Sequence, residues 1–101
     1  MLDGILTILM KVVVLYRPRS EFARRVEEFV HDLQTTHNVD DRHLQVIDID
    51  TRDGSATASL YDLMTQPAIL ITGDDGSYIK SWQGSQLPQL EEVASYAIDY
   101  Q

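Results

Sequence analysis

Hydrophobic and polar positions along this chain fall into three rhythms, and each predicts a different element. The first is an unbroken apolar run. Val12, Val13, Val14, Leu15 and Tyr16 follow Lys11 with no polar residue between them, the mark of a strand covered on both faces. Pro18 ends the run, since proline has no N–H for a sheet ladder. The second rhythm has steps of three and four. Phe22, Val26, Phe29, Val30 and Leu33 fall on one face of a helix, while Glu27, Glu28 and Asp32 fall elsewhere. Ser20 is the expected N-cap of that helix, which fades over residues 35–38.

The third rhythm is a series of short apolar runs punctuated by turn residues. A second strand is predicted over residues 44–49, from Leu44, Val46, Ile47 and Ile49. The turn-forming tract from Asp48 to Gly54 closes it. Ala56, Ala58, Leu60, Tyr61, Leu63 and Met64 predict a short helix, broken at Gln66-Pro67 because the residue before a proline is driven to extended geometry. Residues 68–71 form a third strand. Asp74-Asp75-Gly76-Ser77 signals a hairpin, and residues 78–82 return as a fourth strand. Gly84-Ser85 leads to a last helix with Leu90, Val93, Ala94 and Ala97 on one face and Pro88 in its first turn. The order is βαβαββα. A helix between the first two strands requires a parallel pair, and the last two strands are antiparallel. The fold class is α/β: a mixed, roughly four-stranded sheet with helices on both faces, in three α/β/α layers.

Length narrows this to one domain over residues 1–101, with its core about 11–98 and residues 1–9 as an N-terminal extension. Met10 starts a natural-looking protein sequence of its own. The apolar extension offers a route to a homo-oligomer by adding a strand across a sheet edge. Residues 4–16 are interrupted by Lys11 and too short to span a bilayer. They also lack the basic start of a secretory signal, so a cytoplasmic, soluble protein is expected. The formal net charge is −8 and the pI about 4.5. That argues against nucleic acid and against an anionic membrane as partners.

No cysteine occurs anywhere in the chain, which removes disulfides, thiolate metal sites and thiol catalysis. No cofactor is expected. His31, His37 and His43 have no ligand spacing and are read as surface histidines. The aspartates at 48, 50 and 53 are read as turn caps, since the loop lacks the bidentate Glu of a calcium site.

Several segments in order resemble the thioredoxin-like and glutaredoxin-like fold superfamily. Leu15-Tyr16, a proline, and then Ser20-Glu21-Phe22-Ala23-Arg24-Arg25-Val26 resemble a glutaredoxin active-site segment. Its two redox cysteines, C-x-x-C, are here Ser20 and Ala23. Gln66-Pro67-Ala68-Ile69-Leu70 is similar to the family's cis-proline segment. Asp75-Gly76-Ser77, Trp82-Gln83-Gly84 and Leu90 resemble its hairpin turn, fourth strand end and last helix. The resemblance spans about residues 11–98 and implies a thioredoxin-like three-layer fold with a cis peptide at Pro67. It also implies a backbone edge beside that proline, which in relatives pairs with an extended peptide or glutathione. Thiol–disulfide exchange needs a thiolate nucleophile and a resolving thiol, so the chain departs from the family in its chemistry.

The candidate binding residues are Arg17, Arg19, Ser20, Glu21, Phe22, Gln66 and Pro67. Arg17, Arg19, Arg24 and Arg25 are half of the chain's eight basic residues and surround a helix start, where free N–H groups favour anions. They also suit ion pairing along the helix, with Glu21–Arg25 at i,i+4. Ser20 is open to two readings: a helix cap, or a hydroxyl like that of glutathione transferases. Those enzymes need an all-helical second domain, which this chain is not expected to carry. The leading expectation is a redox-inactive protein-interaction or chaperone-like module, with a protein partner that carries an acidic patch. The alternative is a glutathione- or anion-binding, transferase-like single domain.

Overall fold

The computed structural model describes residues 10–97; the expectations for residues 1–9 and for residue 98 lie outside them. Seven elements follow in the order β1 (Met10–Tyr16), α1 (Ala23–Thr35), β2 (Leu44–Asp48), α2 (Arg52–Leu60), β3 (Ala68–Gly73), β4 (Tyr78–Gln83) and α3 (Leu90–Tyr96). The sheet order is β2-β1-β3-β4. β1 runs parallel to β2, with Val12 opposite Leu44, and antiparallel to β3, with Leu15 opposite Ala68. β3 and β4 close the sheet as a hairpin.

The apolar run of β1 explains the layering. Side chains alternate across a strand, so Val12 and Val14 face one side and Val13 and Leu15 the other. Val12 and Val14 join Val26, Phe29 and Leu33 of α1 and Val93 and Ala94 of α3 in one core. Val13 and Leu15 join Ile49, Leu63, Ala68 and Leu70 in a second, smaller core beneath α2. Each fully buried Val, Leu or Ile contributes about 1.5–3 kcal/mol, so the strand that feeds both cores carries a large share of the stability.

The helix boundaries differ from the sequence expectation at three places. Ser20 does not cap α1. The helix begins at Ala23, and the N-cap position is Phe22, whose side chain makes no capping bond. Ser20 Oγ instead accepts from the Phe22 N–H at 3.3 Å, a local turn bond that serine makes as readily as a cap. The second helix starts earlier and ends earlier than its apolar pattern suggested. Thr51 caps it, donating to the Asp48 carbonyl at 2.7 Å and accepting from Gly54 N–H at 3.0 Å. It stops at Leu60, and Asp62 then takes a left-handed φ of 58°. Leu60 and Met64, expected on an apolar helix face, are 75% and 79% exposed. Pro88 lies before the α3 N-cap, Gln89, rather than within the first turn.

His43 also departs from its expected surface position. It is buried, at the entry to β2, with Nδ1 3.2 Å from Asp40 Oδ1. Its carbonyl accepts from Val12 N–H at 2.7 Å, so the sheet ladder draws the residue inward.

The turn after β2 depends on a close approach. A Cβ built on Gly54 would lie 2.1 Å from the Asp48 carbonyl oxygen and 2.9 Å from Ile49 Cα. Both obstacles are backbone and cannot rotate away. Gly54→Ala is therefore expected to destabilise the protein by at least about 1–3 kcal/mol, despite alanine's better helix propensity. Ser55→Ala, one residue on and exposed, is the control and should be close to neutral. Urea unfolding of the two variants checks this, and equal midpoints would contradict the packing described.

Candidate functional site

β1 and β3 are neighbours, so whatever follows Tyr16 meets whatever precedes Ala68. The segment after β1 turns through Arg17–Phe22, with Ser20 N–H donating to the Arg17 carbonyl at 3.0 Å and Ala23 N–H to the Ser20 carbonyl at 3.2 Å. The segment before β3 carries Gln66-Pro67, and their peptide bond is cis. Together they enclose a cavity of about 170 Å³ lined by Tyr16, Arg17, Ser20, Glu21, Phe22, Gln66 and Pro67. Six of the seven residues singled out from the sequence thus come together. Arg19 is exposed and does not line the cavity.

Tyr16 joins the site; the sequence marks it only as the end of β1 within the segment that resembles a glutaredoxin active site, not as a binding residue. It is the last residue of β1, and its hydroxyl donates to Glu27 Oε2 at 2.8 Å. Burial first, and then the neighbouring Glu27 carboxylate, hold its phenol above the ordinary tyrosine range. The phenol therefore stays neutral and serves as a donor rather than as a base.

Arg17 is less free than the sequence suggested. Its Nε lies 2.9 Å from Asp50 Oδ2 and its Nη2 3.1 Å from Asp50 Oδ1, a bidentate pair. Asp50 belongs to the tract read as turn caps. In that tract Asp48 does cap, its Oδ1 accepting from Asp50 N–H at 2.8 Å, while Asp50 itself reaches across to the β1 exit. Hydrogen bonding to Arg17 holds the Asp50 carboxyl below its ordinary range. The Glu21–Arg25 pair is not formed among the described residues, and Arg25 Nη1 instead lies 3.4 Å from the Ser85 carbonyl. Arg19, beside the cavity, makes no side-chain hydrogen bond or ion pair among the described residues.

A further group the sequence did not single out fixes the proline side. Gln83 Oε1, at the end of β4, accepts from Met64 N–H at 2.7 Å and Thr65 N–H at 3.1 Å. Gly84 N–H donates to the Pro67 carbonyl at 2.9 Å. The end of β4 therefore holds the approach to Pro67 on both sides. In the sequence Gln83 is marked only as part of Trp82-Gln83-Gly84, the segment that resembles the family's fourth strand end, with no sign of its partners.

Chemically the cavity is lined by the hydroxyl-bearing Tyr16 and Ser20, the Gln66 amide and the partly neutralised guanidinium of Arg17. It holds no thiol, and among the described residues no cluster of acidic or histidine side chains has metal-binding geometry. No described helix is long and apolar enough to cross a membrane.

No protein-family model matches the chain, and no curated protein is significantly similar to it in sequence. Solved structures do match. A thioredoxin from Fasciola hepatica superposes with a TM-score of 0.67 over 89% of this chain and 82% of its own, at 16% identity. The oxidised thioredoxin of Plasmodium falciparum gives a TM-score of 0.64 over 88% and 82%, at 15% identity. Mitochondrial thioredoxin 3 of Saccharomyces cerevisiae gives 0.58 over 87% and 76%, at 12% identity. Similarity at this level carries the fold and nothing of the activity. The chain has a thioredoxin-like α/β fold in a form without cysteine.

Two outcomes are expected from the local geometry. Because the Asp50 carboxyl is lowered in the folded state, its pairing stabilises the protein above the unfolded carboxylate value of about 3.9. That contribution is lost as pH falls through the folded value. Acid unfolding of Asp50→Asn should therefore begin from a lower stability and show a shallower dependence on pH below about 4. An unchanged slope would argue that the pair contributes nothing in solution. Separately, Gln83→Leu should speed amide hydrogen exchange at Met64 and Thr65, whereas Gln83→Glu, which keeps the acceptor, should preserve protection. The stability loss in Gln83→Leu should be about 0.5–1.5 kcal/mol.

Proposed function

We propose that this domain is a redox-inactive, thioredoxin-like protein-interaction module, of chaperone-like type, that engages its partner at the β1 exit and the Gln66-Pro67 edge. The observation that carries the reading is the cavity in which those two segments meet with no thiol in either. A partner segment needs only a shaped surface and a backbone edge there, since strand-like addition draws its affinity from main-chain hydrogen bonds. Arg19 and the half-exposed Arg17 favour an acidic patch on that partner, which suits steering between opposite charges. The lack of cysteine fits a cytoplasmic setting.

The cavity's size weighs against the alternative of an enclosed small anion or glutathione. At about 170 Å³ it falls below the roughly 300–1,000 Å³ usual for small-molecule pockets. A shallow recess of this kind accepts one side chain of a larger partner more readily than a whole ligand.

Charge reversal at both Arg17 and Arg19 should abolish partner capture from a native cell extract while the fold stays intact by circular dichroism. Asp50→Asn, which releases Arg17 from its pair, should strengthen capture. Unchanged partners in the reversal variant would remove the proposal. A thermal shift with glutathione or phosphate esters would favour the small-anion reading instead.

A further inference from the structure

A second concavity lies at the other end of the sheet and shares no residue with the Pro67 cavity. It measures about 370 Å³ and runs between α2 and the floor formed by the first half of β1 and the end of β3. α2 is short: Ala58 packs on the second core, and a concavity remains between the helix and the lower part of that sheet face.

Among the described residues, two polar groups of the floor have no partner. Thr72 is only 4% exposed, and its hydroxyl makes no hydrogen bond among the described residues. It sits on the face shared with Leu70, two residues earlier, and therefore points toward the groove. Lys11 is directly opposite in the β1–β3 register, which sets the two side chains about 4.5–5.5 Å apart at Cβ. Lys11 is half-buried, and its ammonium likewise has no ion pair among the described residues. A buried hydroxyl left unpaired is costly, and among the described residues Thr72 stands beside a cation that likewise has no partner, at the bottom of a groove.

The rest of the lining is arranged along the groove. Val13 and Ile47 continue the floor, and Ala56 and Leu60 form an apolar wall on α2. Leu60 is 75% exposed, so its side chain is accessible at the rim of the groove. At the far end of the same helix stripe is the carboxylate of Asp53. From Asp53 to Leu60 the helix rises about 10 Å, the length of about three extended residues.

We propose that this groove binds a short apolar peptide of about three residues with free termini. Its carboxylate is received by Lys11 and Thr72, its side chains lie along Ala56 and Leu60, and its ammonium faces Asp53. Asp74, at the hairpin end of the groove, disfavours a multiply charged anion such as a phosphate and leaves a single carboxylate as the suitable head group. The order of charges along the groove gives the ligand a direction: cation at the Lys11 end, anion at the α2 start.

The test is a titration of the ¹⁵N-labelled full chain with the tripeptide Ala-Leu-Leu, followed by amide shifts. The free peptide should perturb Thr72, Gly73 and Ala56 with a Kd at or below about 1 mM. Its C-terminal amide and its N-acetyl derivative should each bind about tenfold or more weakly. Thr72→Val and Lys11→Met should weaken the free peptide about tenfold or more. Thr72→Val carries a second readout. If the hydroxyl serves a ligand, the empty variant is as stable as the parent or more so, because an unpaired buried group has been removed. If the hydroxyl is structural, the variant is less stable. No saturable shift at the groove, equal binding of the blocked peptides, or a destabilised Thr72→Val would each overturn the proposal. Capture through Arg17 and Arg19 is unaffected by any of these results, so the two sites are judged separately.

Discussion

The central strand must be covered on both faces, and the rest of the molecule is arranged around that requirement. Val12, Val13, Val14 and Leu15 are between 0% and 6% exposed, two toward each helical layer. A strand with one wet face would need helices on one side only. This one needs α1 and α3 against Val12 and Val14 and α2 against Val13 and Leu15. Its two backbone edges are equally committed, one to β2 in parallel and one to β3 in antiparallel. A crossover through a helix, here α1, is then the ordinary way to bring β2 alongside.

The candidate site is a consequence of that pairing. Leu15 opposite Ala68 brings the β1 exit against the β3 entry, and the cavity forms where the two connections meet. The site is held from outside by groups that belong to neither connection. Asp50, after β2, grips Arg17, and Gln83, at the end of β4, grips the backbone before Pro67. Each edge strand of the sheet thus supports one wall. The same logic explains the groove at the other end. α2 is anchored at its start by Thr51 and by the glycine that lets it approach Asp48. It is too short to reach across the sheet face it covers, and Lys11 and Thr72 are left beneath the gap.

Much of this is legible in the chain. Valine runs and steps of three and four report which faces are buried, because burial of apolar surface is the main driving force of folding and leaves a periodic trace. The hairpin is legible for a local reason: Asp75 Oδ1 accepts from Ser77 N–H at 3.0 Å and Gly76 takes a φ of +87°, both properties of the residues themselves. Ser20 misleads because a serine hydroxyl is equally satisfied in a turn and in a cap, and only the backbone path chooses between them. His43 misleads because its burial comes from its place in the β1–β2 ladder, not from its polarity. Leu60 and Met64 carry the apolar signal of a core position, yet Met64 falls beyond the end of α2 and Leu60 lies on the stripe bordering the groove, and both are exposed.

The sequence by itself determined the element order, the doubly covered strand, the meeting of the Arg17–Phe22 and Gln66-Pro67 segments implied by family resemblance, and the loss of thiol chemistry. The meeting of the two segments is what the resemblance implies; the others follow from residue type and near-neighbour spacing. The tertiary structure decided the partners: Asp50 for Arg17, Glu27 for Tyr16, Gln83 for the proline loop, and Lys11 beside Thr72. Each of these pairs joins residues 11 to 61 positions apart in the chain, where no periodicity reaches, and only the packing of strands and helices in their final register brings them together.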